Sequence, residues 1–173
     1  MKRAHGNVNS EDEDGFDFGE LAPTRAKPKS WRDDPAVSHA DLSLRITVEE
    51  GGSTTYHVHK WLLDAKCTYF QGKFQFDRAA SGEREEAQLQ LLPHEAEVLP
   101  AMLDFMYGVT TELQASTESA VALFRMADML GAAELHRAIT AFMQTDLQKS
   151  TAIQYLCDAE ALNQQKVCRI TRR

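Results

Sequence analysis

Cysteine is scarce and unpatterned. The chain has 173 residues and three cysteines, Cys67, Cys157 and Cys168. The number is odd and no two of them form a Cys-x-x-Cys pair, so neither a structural zinc site nor a disulfide framework follows from the spacing. They are expected to be free, buried thiols in a reducing compartment. Positive charge is also short: 19 Lys and Arg stand against 26 Asp and Glu, for a net charge of −7. Broad binding of phosphate backbones needs the opposite balance, so nucleic acid is not an expected partner. No stretch approaches the ~18 apolar residues of a membrane span. No apolar run follows Lys2 and Arg3, as a secretory leader would require. Glycine forms no phosphate loop or dinucleotide fingerprint. The expectation is a soluble protein of cytoplasm or nucleus, with no membrane partner and no cofactor.

What is present is a hydrophobic fraction of 43%, enough for one domain with appendages. The apolar residues are unevenly spread. Residues 1–38 hold the run Glu11-Asp12-Glu13-Asp14, Pro23 and Pro28, and few apolar side chains without period. Such a segment cannot bury enough surface to offset its chain entropy and is predicted to be a disordered acidic tail. Phe16 and Phe18 among acids, or Lys27, Lys29 and Arg32, are its candidate linear motifs.

Order is predicted from Asp41 onward. Leu42, Leu44, Ile46 and Val48 alternate with Ser43, Arg45 and Thr47, the period of a half-buried strand. Gly51-Gly52 makes a turn into a partner strand, Thr54 to Val58, with Tyr56 and Val58 on one face. A short helix follows from Lys60 to Lys66, then a second carrying Tyr69, Phe70 and Phe74. Asp77 to Glu86 reads as an exposed loop. Gln88 to Leu91 is a third strand with Leu89 and Leu91 inward. From Glu95 to Tyr107 the apolar residues cover more than one face, so this helix is expected to be central. Pro100 is tolerable there only near the first turn. Ser116 or Thr117 caps the next helix, whose stripe is Ala120, Leu123, Phe124 and Ala127, and Gly131 ends it. Leu135, Ala138, Ile139 and Phe142 repeat the spacing. Ser150 caps a last helix bearing Ile153, Leu156 and Cys157, and a partner helix is expected near Lys166. Strands first and helices later define an α+β domain.

Several residues carry possible chemistry. His57 and His59, two apart on a strand, share a side, but no third metal ligand is evident. Cys67, His59 and Asp64 have the residue types of a thiol nucleophile site, without an oxyanion motif to accompany them. Packing is the better account of both groups. His94, Glu95 and Glu97 crowd one helix start, where the acids suit the helix dipole. Met102, Met106, Met126 and Met129 read as core or adaptable interface. No catalytic residue and no metal site is assigned, and an enzyme is not expected.

The stretch Tyr56-His-Val-His-Lys-Trp-Leu-Leu-Asp-Ala-Lys-Cys-Thr-Tyr-Phe-Gln-Gly-Lys-Phe74 resembles the signature of the BTB/POZ family: an aromatic, an aliphatic, His-Lys, two apolar residues, then a small residue before Tyr-Phe. Asp41-Leu42 is similar to the Asp-Val that opens the family's first strand. Leu89-Gln-Leu91, Phe105-Met-Tyr107-Gly108 and Met126-Ala-Asp128-Met-Leu130 resemble its third strand, its Tyr-Thr-Gly helix end and its Ala-Asp helix. Cys67 stands where the family usually has Ser, and the Thr between Tyr and Gly is missing. Gly51-Gly52 also resembles, more weakly, the potassium-channel tetramerisation branch, whereas His59-Lys60 favours the adaptor branch. The resemblance implies a BTB/POZ fold over residues 39–148, with a small three-stranded sheet flanked by a helical cluster. Residues 149–173 resemble the truncated start of a C-terminal helical extension.

The same resemblance implies protein partners. In cullin-binding adaptors of ubiquitin ligases an apolar residue, a spacer and Glu precede the third strand. Counting back from Leu89 reaches Glu83, with Ser81 in the apolar position. Phe74 and Tyr107 are the other candidate cullin-facing residues, beside an expected accessible apolar groove. Asp41 and Lys60 correspond to the charged pocket that supports the family's homodimer. Between Trp31 and Ala40, Pro35 and a shortage of apolar residues replace the amphipathic helix that many members use to build a swapped dimer. The alternative function is a homo-oligomerising scaffold without cullin binding.

Overall fold

A computed structural model of the chain describes residues 30–48, 51–76 and 85–162. Phe16, Phe18, Lys27, Lys29, Ser81, Glu83, Cys168 and the helix expected near Lys166 lie outside them.

Alternation in the first strand places the sheet. In β1 (Leu42–Val48), Leu42, Leu44 and Ile46 are buried while Arg45 and Thr47 face out. It pairs antiparallel with β2 (Ser53–Val58), Leu42 opposite Val58. It pairs parallel with β3 (Glu85–Leu91), Ile46 opposite Leu89. The order β2-β1-β3 makes β1 central. A parallel neighbour needs a crossover, and α2 (Lys60–Lys66) and α3 (Thr68–Phe76) lie on the path from β2 to β3. The expected α+β class and BTB-type sheet hold, with β3 longer at its start than the alternation alone gave.

Four helices complete the domain. In α4 (Pro93–Tyr107), Val98, Leu99, Met102, Leu103, Met106 and Tyr107 are all buried. Its first turn is closed by Glu95, whose Oε2 accepts from the Leu92 N–H at 2.7 Å. Glu95 is also buried, and its Oε1 lies 3.2 Å from Nη1 of Arg125 on α5 (Thr117–Leu130). An acid read only as suiting the helix dipole thus also ties two helices together. The helix starts earlier than Glu95, so Pro100 is not in the first turn but well inside, where it removes one ladder hydrogen bond. In α5 the predicted stripe is buried together with Val121, Ala122, Met126 and Leu130. This helix is therefore the axis of the cluster rather than one of its walls. In α6 (Ala133–Asp146), Leu135, Ile139 and Met143 are buried, and Phe142 is only half-buried.

The last helix corrects the sequence reading. In α7 (Lys149–Ala161) the buried residues are Tyr155 and Ala159, while Ile153 is 68% exposed and Cys157 is exposed. Its face is set by a polar anchor. Tyr155 donates its hydroxyl to Asp146 Oδ2 at 2.5 Å, and Thr117 donates to the same oxygen at 2.8 Å. The expected burial of every thiol therefore holds for Cys67 but not for Cys157.

Order also begins before residue 39. Trp31 Nε1 donates to Asp104 Oδ1 at 3.0 Å, and Arg32 donates to both oxygens of Asp104, Nε at 2.9 Å and Nη2 at 2.7 Å. The Trp31 ring meets Tyr56 edge-on with centroids 5.5 Å apart. A four-residue helix, α1 (Pro35–Ser38), follows, with Asp34 accepting from the Ala36 N–H at 2.7 Å. The segment expected to be tail is thus a strap from Ser30 onward. Arg32, a candidate in a basic linear motif, is engaged by Asp104.

Two predictions follow from these contacts. Gly131 has φ +63°, and a Cβ there would sit 1.8 Å from Thr68 Oγ1, whereas Gly108, at φ +66°, has open space around it. Gly108→Ala should cost only the left-handed strain, about 1–2 kcal/mol. Gly131→Ala adds overpacking and should cost roughly 2–4 kcal/mol. Denaturant unfolding of both variants separates strain from clash, and equal losses would mean that the α3–α5 approach gives way freely. The second concerns acid. The Arg32 hydrogen bonds hold the Asp104 carboxyl below its ordinary value, aided by Arg32's charge and the Trp31 N–H and opposed by desolvation. A lowered acid pKa stabilises the fold fully above the unfolded value, near 4, and the contribution is lost as pH falls through the folded value. The stability gap between wild type and Asp104→Asn should therefore be largest near neutral pH and close in acid. A gap independent of pH would show that the strap holds without this charge.

Candidate functional site

At the end of β2 the chain must turn into α2, and His59 occupies the turn with extended backbone and no side-chain cap bond. Its ring is buried instead. Nε2 lies 2.8 Å from the Ser38 carbonyl, which can only accept, so Nε2 carries the hydrogen and donates. Nδ1 lies 2.9 Å from the Tyr107 hydroxyl, which also accepts from the His59 N–H at 2.8 Å. In the neutral ring, Tyr107 donates its own proton to Nδ1, so the His59 amide, both ring nitrogens and the Tyr107 hydroxyl are all satisfied. Burial pushes the Tyr107 phenol up to about 12, the His59 N–H pulls it down and the Asp41 charge raises it. It therefore remains a donor at neutral pH.

Because His59 turns inward, the helix start needs another cap. Asp41 supplies it: Oδ1 accepts from the Lys60 N–H at 2.7 Å. A carboxylate at a helix N-terminus also matches the helix dipole. The Lys60 ammonium lies 4.8 Å from the centroid of the Phe74 ring. Asp41 and Lys60 are thus brought together, but Asp41 is exposed and Lys60 half-buried. Neither is fully buried, and a carboxylate capping a backbone amide links them.

Around this junction is an open cavity of about 510 Å³, lined by Ser38, His39, Asp41, His59, Trp61 and Tyr107 among others. Trp61 is 64% exposed, and Val37 on α1 is also exposed. A second apolar surface lies on α3. Phe70 and Phe74 turn inward and stack with centroids 5.7 Å apart. Tyr69 and Phe76, seven residues apart and so on one face, are exposed, Phe76 by 88%.

The expected groove residues change character accordingly. Phe74 and Tyr107 are only 4% and 9% exposed. An aromatic in a signature motif is as readily core as contact, and here each ring has inward partners. The exposed aromatics are their neighbours Trp61, Tyr69 and Phe76, which sequence reasoning did not single out as contacts. Tyr69 and Phe76 carried a usable signal, since Tyr69, Phe70, Phe74 and Phe76 cannot all share one face of α3.

The other candidates resolve as packing. Both ring nitrogens of His59 are taken by Ser38 and Tyr107, while His57 Nδ1 meets Ser43 Oγ at 3.5 Å. Among the described residues no group of three or more His, Cys, Asp and Glu could hold a metal ion. Burial pushes the Cys67 thiol up to about 12, which leaves it protonated and unreactive at neutral pH. Asp64 is exposed. Among the described residues no helix is long and apolar enough to cross a membrane.

A satisfied polar clamp beneath two exposed aromatic surfaces, on a small sheet and a helical cluster, is the make-up of a protein-interaction domain. The BTB/POZ domain model matches residues 38–147, and the chain belongs to that family. Mouse (Mus musculus) Kelch-like protein 35 is 29% identical over 114 residues, 64% of this chain and 19% of that protein. Human (Homo sapiens) Kelch-like protein 21 is 28% identical over 120 residues, 69% of this chain and 19% of that protein. The chain thus spans about a fifth of the length of these relatives. Among solved structures, the BTB domain of zebrafish PATZ1 aligns with TM-score 0.48 and 21% identity, over 62% of this chain and 78% of that one. The BTB domain of human gigaxonin aligns with TM-score 0.47 and 17% identity, over 62% and 84%.

The clamp and the cap make a joint prediction. Tyr107→Phe strands the His59 N–H and Nδ1 and should lower stability by roughly 1–3 kcal/mol. Asp41→Ala should cost about 1 kcal/mol and Asp41→Asn less, because an amide oxygen still accepts. Urea unfolding of the three variants checks the order. A Tyr107→Phe domain as stable as wild type would show that the clamp is not structural.

Proposed function

We propose that this protein-interaction domain is an adaptor that joins a cullin-type ubiquitin-ligase scaffold to a substrate, through the aromatic face of α3. The observation that carries the reading is Phe76, 88% exposed at the end of α3. In sequence it precedes the stretch that holds Glu83, which counting back from Leu89 aligns with the Glu of the cullin-binding motif, with Ser81 in the motif's apolar position. Large exposed aromatics flanked by polar residues are the usual anchors of protein interfaces. In this reading Phe74 and Tyr107 support the surface from beneath, and Tyr69 and Phe76 make the contact. The Kelch-like relatives support an adaptor role, and in this reading α7 is the start of the helical extension that the resemblance implies. The proposed compartment is the cytoplasm or nucleus, where an exposed thiol such as Cys157 stays reduced.

A second reading, homo-oligomerisation, is favoured by a separate observation: exposed Trp61 and Val37 beside the cavity at Asp41 and Lys60. The two readings use different helices and are tested together. Light scattering with and without a cullin N-terminal domain should give a heteromeric complex. Phe76→Ala should weaken it at least tenfold, the loss of one anchor of about 1.4 kcal/mol or more. Trp61→Ala should leave that complex intact and lower only the homodimer mass. Absence of a heteromeric complex at micromolar concentration sinks the adaptor reading, and a strictly monomeric chain sinks the second.

A further inference from the structure

Helix α7 ends at a second cavity, of about 490 Å³, between α4 and α5. Buried Val98, Val121 and Leu162 line it together with exposed Glu97 and Glu118 and half-buried Asp158. Asp158 Oδ1 accepts from Gln154 Nε2 at 2.8 Å. Its Oδ2 is buried with no hydrogen-bond partner among the described residues. A buried carboxylate oxygen without a donor is costly. Among the described residues no Lys or Arg lines the cavity. It is therefore a recess of mixed polar and apolar lining, with three carboxylates and one acceptor lacking a donor among the described residues.

The chain runs on from this spot. Ala161 and Leu162 belong to the lining. The residues after them are Asn163-Gln164-Gln165-Lys166-Val167-Cys168-Arg169-Ile170-Thr171-Arg172-Arg173, with four cations, no acid and two aliphatic side chains. In a chain of net charge −7 this is a local reversal of sign. Attachment at the rim gives such a segment an effective concentration on the order of millimolar, so weak complementarity suffices to fill the site.

We propose that the cavity is the seat of the chain's own basic segment, residues 163–173. Its cations face Glu97, Glu118 and Asp158, and Val167 and Ile170 meet Val98 and Val121. The consequence is that α7 is fastened at two places of different chemistry. The first is the pair of hydrogen bonds from the uncharged Tyr155 and Thr117 hydroxyls to the Asp146 carboxylate, and the second is a contact between opposite charges that salt weakens.

The test uses the full chain. Lys166 is the sole lysine after Leu162. Zero-length carbodiimide coupling of an equimolar mixture of ¹⁴N- and ¹⁵N-labelled protein should join Lys166 to Glu97, Glu118 or Asp158 in same-isotope pairs. Hydrogen exchange gives the second readout. Amides of 166–171 should be protected at least tenfold, and Glu97→Lys with Glu118→Gln should abolish that protection. Adding Lys166→Glu to those two changes should restore it. Both glutamates are exposed, so a thermal melt should confirm an intact core. Mixed-isotope links, which place a second copy in the cavity, overturn the proposal. So do coupling of Lys166 only to other carboxylates, unprotected amides in the wild type, and failure of the charge swap to restore protection.

Discussion

The buried hydrogen-bond cluster of His59 and Tyr107 joins parts of the chain that lie far apart in sequence. Through two ring nitrogens, one main-chain amide and one phenol it fastens the end of α1, the β2–α2 turn and the end of α4. Remove it, and α2 loses the fixed point from which it leaves the sheet. Everything exposed on α2 and α3 is aimed from that point, because α3 follows α2 directly after Cys67. A fully satisfied polar cluster suits this task better than an apolar one. Its geometry admits one arrangement, whereas aliphatic side chains of similar volume can repack.

The clamp also explains why the capping duty at Lys60 falls on Asp41. With the His59 ring committed inward, the first amide of α2 needs an acceptor from elsewhere, and the residue just before β1 is within reach. Charge at this place is therefore structural before it is anything else. A homodimer built over the adjacent cavity would inherit an Asp41 whose carboxylate is partly spent on the fold. The surface then depends more on Trp61 and Val37 for affinity and on Asp41 for orientation.

Legibility in the sequence followed the range of the interaction. The alternation of β1, the span of α2 and the Gly131 stop are set by neighbours a few residues away, and each stands where periodicity and turn chemistry put it. The Trp31 strap was illegible because Asp104, its partner, lies 73 residues downstream. No local pattern distinguishes such a tryptophan from one in a solvated tail. The face of α7 failed for a related reason: aliphatic Ile153 competes with Tyr155, and only the Asp146 and Thr117 oxygens decide in favour of the tyrosine. Family resemblance located the right helices for the candidate site but not the direction of their side chains. It marked Phe74 and Tyr107, which face in, and passed over Trp61 and Phe76, which face out.

That difference bears on how the domain can change partners without changing fold. Phe74 and Phe70 fill the core, so substitution there costs stability first and binding only as a consequence. Phe76 has almost no fold contacts to lose, and Trp61 few, so either can vary freely under selection for a partner. Asp104, Glu95 and Tyr107 cannot, because each satisfies groups on a second segment. An adaptor needs this division: a rigid frame set by buried polar contacts, and exposed aromatics whose identity is open to the partner. The two exposed faces stand on different helices carried by one clamp. On the proposed function, self-association through α2 and scaffold binding through α3 would use separate faces of one protomer.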